Sequence, residues 1–341
     1  MRCIHLAGKV TIQQIADMAG VSKFAVSRAL SGKSGVSEKT RAHIVRTAGN
    51  LGFFNTNRVS PPSVQVPQTA GITGTVVILF PNIRYQNVEN KFWGVVFEGI
   101  SKRLEHSGLN IVTLTQPSGE SITRILNPET LLGVIGVGTV STQSLLQIRD
   151  LNVPLVLIDH IDPAVVCDGI FADNFDMMRK LMLKLISRDY QKFQFVGDPS
   201  YAYSFGERWR AFETVLEEYR IPHQQMETLL KSGKSEYDLI MDIPREELPE
   251  VFICANDSIA VEVSKALRER GIAIPWECAV TGFDDTPLSE DNVPPLTSVH
   301  VPREAMGAKA VDRLLERIRN KEDYFEKIML IGDIILRAST R

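Results

Sequence analysis

Four polar residues of the chain lie where they could bind a small polar ligand. Asp159, Asn256 and Asp284 each follow a short, strongly apolar run typical of a buried strand, and Arg208 begins the segment RWRAF. Carboxylate, amide and guanidinium groups are planar, so each can bind two adjacent hydroxyl groups of one ligand. Groups of this kind at strand ends have the chemistry to bind a polyhydroxylated ligand.

Catalytic motifs are incomplete in this sequence. GVGTVS, from Gly136, lacks the third glycine of a dinucleotide-binding loop and follows the third strand of its unit. The GKS triplets at Gly32 and Gly233 have Ser27 and Thr228 where a phosphate-binding loop needs its first glycine. There is no G-x-S-x-G elbow and no metal-spaced His/Glu set. We therefore expect no enzyme activity, no cofactor and no metal.

The composition is that of a globular protein with more than one unit. The chain has 341 residues, of which 44% are hydrophobic and 23% charged, enough for two or three cores. No apolar stretch is long enough to cross a membrane, and MRCIHLAGKV is not a secretory signal, so we expect a cytoplasmic protein. Cys3, Cys167, Cys254 and Cys278 are scattered, which favours buried thiols over zinc or disulfides.

Charge is divided unevenly along the chain. Residues 1–58 contain nine basic and two acidic residues, a net charge of +7, whereas the remainder has a net charge of −10. A basic segment joined to an acidic body indicates a polyanionic partner for the basic segment alone.

The basic segment has the pattern of three short helices. Gly20 can form the left-handed turn that ends the first helix, and Ser22 and Ser37 can cap the second and third. This arrangement matches a helix-turn-helix, whose second helix enters the DNA major groove. Apolar residues recur at helical spacing at Ile12, Ile15, Ala16 and Ala19, and again at Val21, Ala25, Val26 and Leu30.

The stretch TIQQIADMAGVSKFAVSRALSGKSGVSEKTRAHIV closely resembles the headpiece of the lactose/galactose-repressor family. The resemblance implies that Lys23 and Phe24 face base edges: lysine can donate to guanine O6 and N7, and phenylalanine can contact a thymine methyl. Phe24 is unusual at this position, which leaves the operator sequence open. The remaining expected DNA contacts are to phosphates or nearby groups, from Thr11, Ser22, Ser27, Arg28, Asn50 and Arg58.

From Thr75 onward, short β-branched runs alternate with helices in two series, the rhythm of parallel doubly wound sheets. The family resemblance continues to Arg337. It implies an all-α helix-turn-helix headpiece (1–58), a hinge or linker (59–73) and a two-lobed α/β core like periplasmic binding proteins (74–341). We place lobe 1 at about 74–160 plus 301–325 and lobe 2 at about 161–294 plus 332–341. The crossings between them then fall near His160, Pro294 to Val301 and Phe325 to Gly332.

The resemblance also assigns an effector site between the lobes. Phe92 and Trp93 align with an aromatic pair that covers the apolar face of a sugar. The polar members of the site are Asp159, Arg208, Asn256 and Asp284.

The resulting hypothesis is a dimeric transcriptional regulator, more specifically a repressor of a carbohydrate operon, that binds near-palindromic operator DNA and responds to a small effector. A sugar or sugar phosphate is implied, and a nucleobase or phosphoprotein remains open. The absence of a leucine-heptad tail favours a dimer over a tetramer. The competing hypothesis, a sugar-binding transport or chemotaxis protein, explains the body but neither the basic head nor the missing signal sequence.

The linker NTNRVSPPSV departs from the family's hinge pattern, which ends in a leucine that wedges into the minor groove. Ser60 could cap a helix with Pro61 and Pro62 in its first turn, leaving only Val64 or Val66 as a wedge. The alternative, which we favour, is an extended polyproline-like tether through QVPQTAG.

Replacing both Pro61 and Pro62 with alanine distinguishes these structures. A tether has no folded element to lose, so we expect the double variant to retain nearly full operator affinity in a gel-shift titration. A strong loss of affinity would instead indicate a hinge helix that the prolines help to start.

Overall fold

A computed structural model describes residues 11–31, 33–50, 53, 74–81, 89–106, 109–115, 131–231, 233–321 and 323–341. The predicted linker, with Arg58 and the two prolines, lies outside these ranges. None of the helices within them has the length and apolarity needed to span a membrane.

The head consists of three helices around one small core. Gly20, at φ 64°, ends the first helix in the left-handed conformation and donates its N–H to the Ala16 carbonyl. Ile15, Val26 and Ile44, one from each helix, are fully buried against one another. The helices are α1 Ile12–Ala19, α2 Lys23–Leu30 and α3 Glu38–Asn50.

The first lobe is built on a six-stranded sheet in which every neighbouring pair is parallel. Its strands are β1 Thr75–Leu79, β2 Asn110–Leu114, β3 Leu131–Val137, β4 Leu155–Ile158, β5 Asp168–Ala172 and β10 Lys327–Leu330. Their order across the sheet is β10-β5-β4-β3-β1-β2.

Helices cover both faces of this sheet. On β1, Val76 and Ile78 pack into one cluster and Val77 and Leu79 into another, so the strand is apolar on both sides. The helices of the first lobe are α4 Trp93–His106, α5 Thr142–Asp150 and α12 Arg303–Arg319. Helices α4 and α12 pack closely where Gly307 leaves room for the Val96 carbonyl. The segment VDRLLERIRN thus belongs to the first lobe, as predicted.

The second lobe has a parallel three-stranded sheet in the order β6-β7-β8, and a short antiparallel pair, β9 with β11. Its strands are β6 Phe193–Val196, β7 Val251–Cys254, β8 Ala279–Thr281, β9 Ser298–Val299 and β11 Ile334–Ile335. Its helices are α6 Asn174–Ile186, α7 Tyr203–Glu218, α8 Glu227–Leu230, α9 Glu236–Asp242, a 3₁₀ turn Arg245–Glu247, α10 Asp257–Glu269 and α11 Pro287–Asp291.

Two predicted lobe boundaries are wrong. The first crossing does not occur near His160, because β5 still pairs with β4 in the first sheet and the chain leaves that lobe at Asp173, the cap of α6. The first lobe also does not end at Phe325, because β10 pairs with β5 as an edge strand.

A buried ionic cluster connects β5 to α12 and to the segment before β10 in the first lobe. Asp168, at its start, is fully buried and accepts from Arg313 Nε at 2.9 Å and Arg317 Nε at 2.8 Å, both on α12. It also accepts from the Glu326 backbone N–H. Burial alone would raise the pKa of Asp168, but the hydrogen bonds from Arg317, Glu326 and Arg313 hold it below its usual value.

Replacing Asp168 with alanine leaves two buried arginines without their carboxylate. We expect the free energy of unfolding to fall by about 3–5 kcal/mol, the typical effect of removing one partner of a buried ion pair. Urea denaturation followed by circular dichroism measures this change. The matched control is Lys102→Ala, which breaks exposed ion pairs with Glu98 and Glu304 and should leave the midpoint unchanged. Equal effects of the two substitutions would contradict this account.

Candidate functional site

The exposed face of α2 is the first candidate surface. Lys23, Phe24 and Ser27 all lie on it, and the Phe24 side chain is 69% exposed despite its apolar ring. A large ring held in water on a basic three-helix head is typical of a contact surface rather than of a core position. The structure therefore places these three predicted DNA contacts on one helix face.

Thr11 and Ser22, which are predicted to contact DNA, also cap the first two helices of the head. The Thr11 hydroxyl accepts from the Gln14 N–H in a capping box at the start of α1. The Ser22 hydroxyl accepts from the Ala25 N–H at 3.2 Å and caps α2. Both residues are exposed at helix N-termini, where backbone N–H groups also suit a phosphate.

Arg28 is bound inside the head in this conformation. Its Nε donates to the Ser34 carbonyl at 2.6 Å, and its guanidinium lies 5.2 Å from the centre of the Phe24 ring. The arginine thus orders both the loop after α2 and the exposed ring. Its predicted phosphate contact stays a prediction, as does that of Asn50, which lies in α3.

All six residues predicted for the effector site line one cavity of about 700 Å³. Asp159 comes from the end of β4, whereas Arg208 is on α7 and Asp284 follows β8, so both lobes contribute. The ends of parallel strands are where ligands bind in such sheets. The six residues are Phe92, Trp93, Asp159, Arg208, Asn256 and Asp284.

Arg208 forms the centre of the polar wall. Its side chain is only 3% exposed, and its nitrogens donate to Asn174 Oδ1 at 2.9 Å, the Ala255 carbonyl at 2.6 Å and Asp284 Oδ1 at 3.0 Å. The guanidinium also lies 3.7 Å from the centre of the Phe283 ring. Arg208 therefore positions the cavity wall before any ligand arrives.

Asp159 connects the two lobes across the cavity. Its carboxylate accepts from the Ser204 hydroxyl, at the start of α7, at 3.0 Å. Burial raises the pKa of Asp159 to about 6, against the opposing charge of Arg208 and the Ser204 hydrogen bond. Burial likewise raises the pKa of Asp284 to about 6, although Arg208 is its direct partner.

Two consecutive aspartates separate the cavity from the segments that cross between lobes. Asp284 and Asp285 have φ of 101° and 50°, backbone conformations that residues other than glycine rarely adopt. Asp284 pairs with Arg208, whereas Asp285 accepts from Arg337 at 2.8 Å and its side chain lies 2.9 Å from His300 Nδ1. Strain of this kind persists only where surrounding contacts enforce it.

Asn256 caps α10 by accepting from the Ile259 N–H at 3.0 Å, so part of its predicted ligand-binding capacity is already used. Phe92 and Trp93 meet edge to face at 4.8 Å, and both pack partly against the main core. The pair therefore contributes to packing as well as to the cavity wall.

Sequence reasoning missed several carboxylates of the cavity. Asp257 accepts from the Thr286 N–H and hydroxyl and from the Ser298 hydroxyl, and burial, with the charge of Asp284, raises its pKa to about 7. Asp198 could have been found, because it follows strand β6. The other missed carboxylates are Glu236 and Glu262, which reach the cavity from helices.

Comparisons with known proteins agree with both parts of the chain. The family model of bacterial regulatory proteins of the lacI family matches residues 11–55, and that of the periplasmic binding protein-like domain matches residues 183–340. The HTH-type transcriptional regulator MalR of Streptomyces coelicolor is 27% identical over 348 residues, 96% of each chain. DegA of Bacillus subtilis is also 27% identical, covering 97% of this chain and 98% of its own.

Solved structures share the fold. The regulator CelR in complex with cellobiose superposes with a TM-score of 0.67 at 24% identity, covering 97% of this chain and 99% of that one. The lac repressor dimer bound to operator and an anti-inducer gives 0.67 at 22% identity, covering 98% and 99%. The class is thus a helix-turn-helix domain followed by a periplasmic-binding-protein-like core. The chain combines a DNA-binding domain that matches the lacI family of bacterial regulatory proteins with a periplasmic binding protein-like domain, and it is similar over nearly its whole length to HTH-type transcriptional regulators.

Because the pKa of Asp159 is raised in the folded protein, the free energy of unfolding depends on pH. The folded protein retains this proton up to about pH 6, whereas a free carboxyl loses it near 3.8, so the Asp159 contribution to stability falls as pH rises between these values. We expect Asp159→Asn to gain up to about 3 kcal/mol relative to the unsubstituted protein between pH 4 and pH 7.5. Urea denaturation at both pH values measures the gain.

The control is Asp150→Asn, which removes an exposed carboxylate beside Arg149, outside the cavity lining, and whose gain should be smaller than that of Asp159→Asn. A difference between Asp159→Asn and the unsubstituted protein that is equal at both pH values would show that Asp159 is ionised throughout.

Proposed function

We propose that this regulator is a homodimeric repressor of a carbohydrate-utilisation operon, and that a small sugar-like effector in the cavity modulates its operator affinity. The observation that carries the proposal is the combination, in one chain, of an exposed recognition helix and a cavity lined by planar polar groups and an aromatic pair. The relative with bound cellobiose supports a carbohydrate as the effector class.

The proposed operator contact is the exposed face of α2. Lys23 can donate to guanine, and Phe24, held by Arg28 at its side, can contact the methyl group of thymine. Two such heads in a two-fold dimer read two half-sites of a near-palindrome, so a thymine and a guanine should recur symmetrically.

The proposed route from effector to DNA passes through the lobe crossings. Arg303, the first residue of α12, donates to the Asp285 carbonyl of lobe 2 at 2.9 Å and to the Lys91 carbonyl of lobe 1 at 3.0 Å. A ligand that contacts Asp284 and the segment around Lys91 acts on both ends of this bridge. It changes operator affinity only insofar as it binds one lobe arrangement more tightly than another.

Lys23→Ala should reduce discrimination between a selected operator and unrelated DNA by about 1–3 kcal/mol, because one base contact is lost. Binding to both DNAs should weaken by about three to five decades between roughly 50 and 200 mM salt, as expected for a dimer with many phosphate contacts. The control is Lys39→Ala, which removes an equal charge from an exposed position of α3 and should leave the base preference unchanged. The test is a gel-shift titration after operator selection, and salt-independent binding, or none, would refute the proposal.

Binding of the proposed effector in the cavity is tested separately from DNA binding. A calorimetric screen against sugars should yield a ligand that changes operator affinity, and Trp93→Ala should weaken its binding because the ring lines the cavity. The control is Trp276→Ala, a side chain that is 76% exposed and outside the cavity lining. A ligand whose affinity is equally insensitive to both substitutions binds elsewhere.

A further inference from the structure

The charge of the cavity wall is strongly one-sided. Among the described residues that line it, only Lys91 and Arg208 are basic, whereas six carry carboxyl groups. The carboxyl groups belong to Asp159, Asp198, Glu236, Asp257, Glu262 and Asp284. A cleft with low-dielectric walls strengthens such a bias, because fewer water molecules screen it than at an open surface.

Both basic residues have much of their charge offset by their surroundings. Three of the five N–H groups of Arg208 already donate to protein acceptors, one of them the Asp284 carboxylate. Lys91 is exposed at the edge of the cavity, where water and salt screen its charge.

Helices α4, α7 and α10 begin at the cavity, and their N-termini do not offset the carboxylates. Asn90 Oδ1 accepts from the first N–H groups of α4, at Phe92 and Trp93. Asn256 caps α10, whose first turn carries Asp257. Helix α7 has no side-chain cap at Ala202, but the hydroxyl of its second residue, Ser204, donates to the buried carboxylate of Asp159.

Negative charge is already unfavourable in this cavity. Burial raises the pKa values of Asp159 and Asp284 to about 6 and that of Asp257 to about 7, the last with help from the charge of Asp284. A phosphate group would add about −1.5 to −2 further charges beside them. Hydroxyl groups suit the site better, since carboxylates are acceptors and a polyol supplies O–H donors.

We infer that the effector of this regulator carries no phosphate or carboxylate group and is an uncharged polyhydroxy compound rather than a sugar phosphate. The inference rests on the proposed function, because it concerns the ligand of the same cavity. It decides between a sugar and a sugar phosphate, the two ligand classes that the family resemblance implies.

The experiment uses the full chain and matched pairs of probes: glucose with glucose 6-phosphate, fructose with fructose 6-phosphate, and ribose with ribose 5-phosphate. Titration calorimetry at pH 7.5 and constant ionic strength gives the affinities. Native mass spectrometry after exposure to a bacterial metabolite extract then identifies any compound that the protein retains. We expect the uncharged member of any binding pair to bind at least about 10-fold more tightly, and the retained compound to lack phosphate and carboxylate.

Charge variants test the physical cause. Glu262→Gln removes a carboxylate from the cavity wall, and Asp284→Asn removes another while keeping an oxygen that can accept from Arg208. Each should improve binding of the phosphorylated probe relative to its uncharged partner by several-fold. The control is Glu290→Gln, an exposed carboxylate of the same lobe that is outside the cavity lining and should leave the ratio unchanged.

The outcomes separate this inference from the proposed function. Tighter binding of a phosphorylated probe, or retention of an anionic compound, overturns the inference and leaves an effector-responsive regulator intact. An unchanged ratio in both cavity variants overturns it as well. Failure of all probes and of the extract to yield a ligand refutes the proposed effector response itself, and the inference with it.

Discussion

Arg208 is a buried cation that joins three separate segments of the second lobe. Its nitrogens reach Asn174 at the first crossing, the Ala255 carbonyl after β7 and Asp284 after β8. A buried charge is stable only when it is paired and fully hydrogen-bonded, so these segments must remain in register around it. The polar wall of the cavity is therefore set by the fold, and a ligand meets donors and acceptors that are already oriented.

The neighbouring dipeptide extends this order from the cavity to the lobe crossings. Asp284 belongs to the Arg208 cluster, and Asp285 binds Arg337 and His300, which lie in segments next to the crossings. Both residues have positive φ and are held there by their surroundings. A change in the backbone angles of one of them therefore also changes the position of the other. In the proposed mechanism, a ligand that displaces Asp284 moves the residue next to Asp285 and its contacts with Arg337 and His300.

Sequence reasoning predicted the helix-turn-helix head, the two-lobed fold and the six residues that meet in the cavity. The helices of the head and the alternation of strands and helices follow from local patterns. The two-lobed arrangement and the six site residues came from the resemblance to the family. Sequence reasoning missed the place of β5, because Asp168 breaks the apolar pattern and its partners Arg313 and Arg317 are far away in sequence. It also missed Asp257, because a carboxylate in the first turn of a helix is fully explained by the helix dipole until tertiary contacts are known.

The same charge separation governs both functional surfaces. The head, with a net charge of +7, is attracted to DNA, whereas the remainder, at −10, is repelled by it at distances up to about one Debye length, roughly 8–10 Å. The core is consequently expected to add little direct affinity for DNA. In the proposed dimer it instead sets the separation of the two heads. That separation determines the effective concentration of the second head once the first has bound. Because each tenfold change in that concentration corresponds to about 1.4 kcal/mol, a modest preference of the effector for one lobe arrangement is sufficient to regulate operator binding.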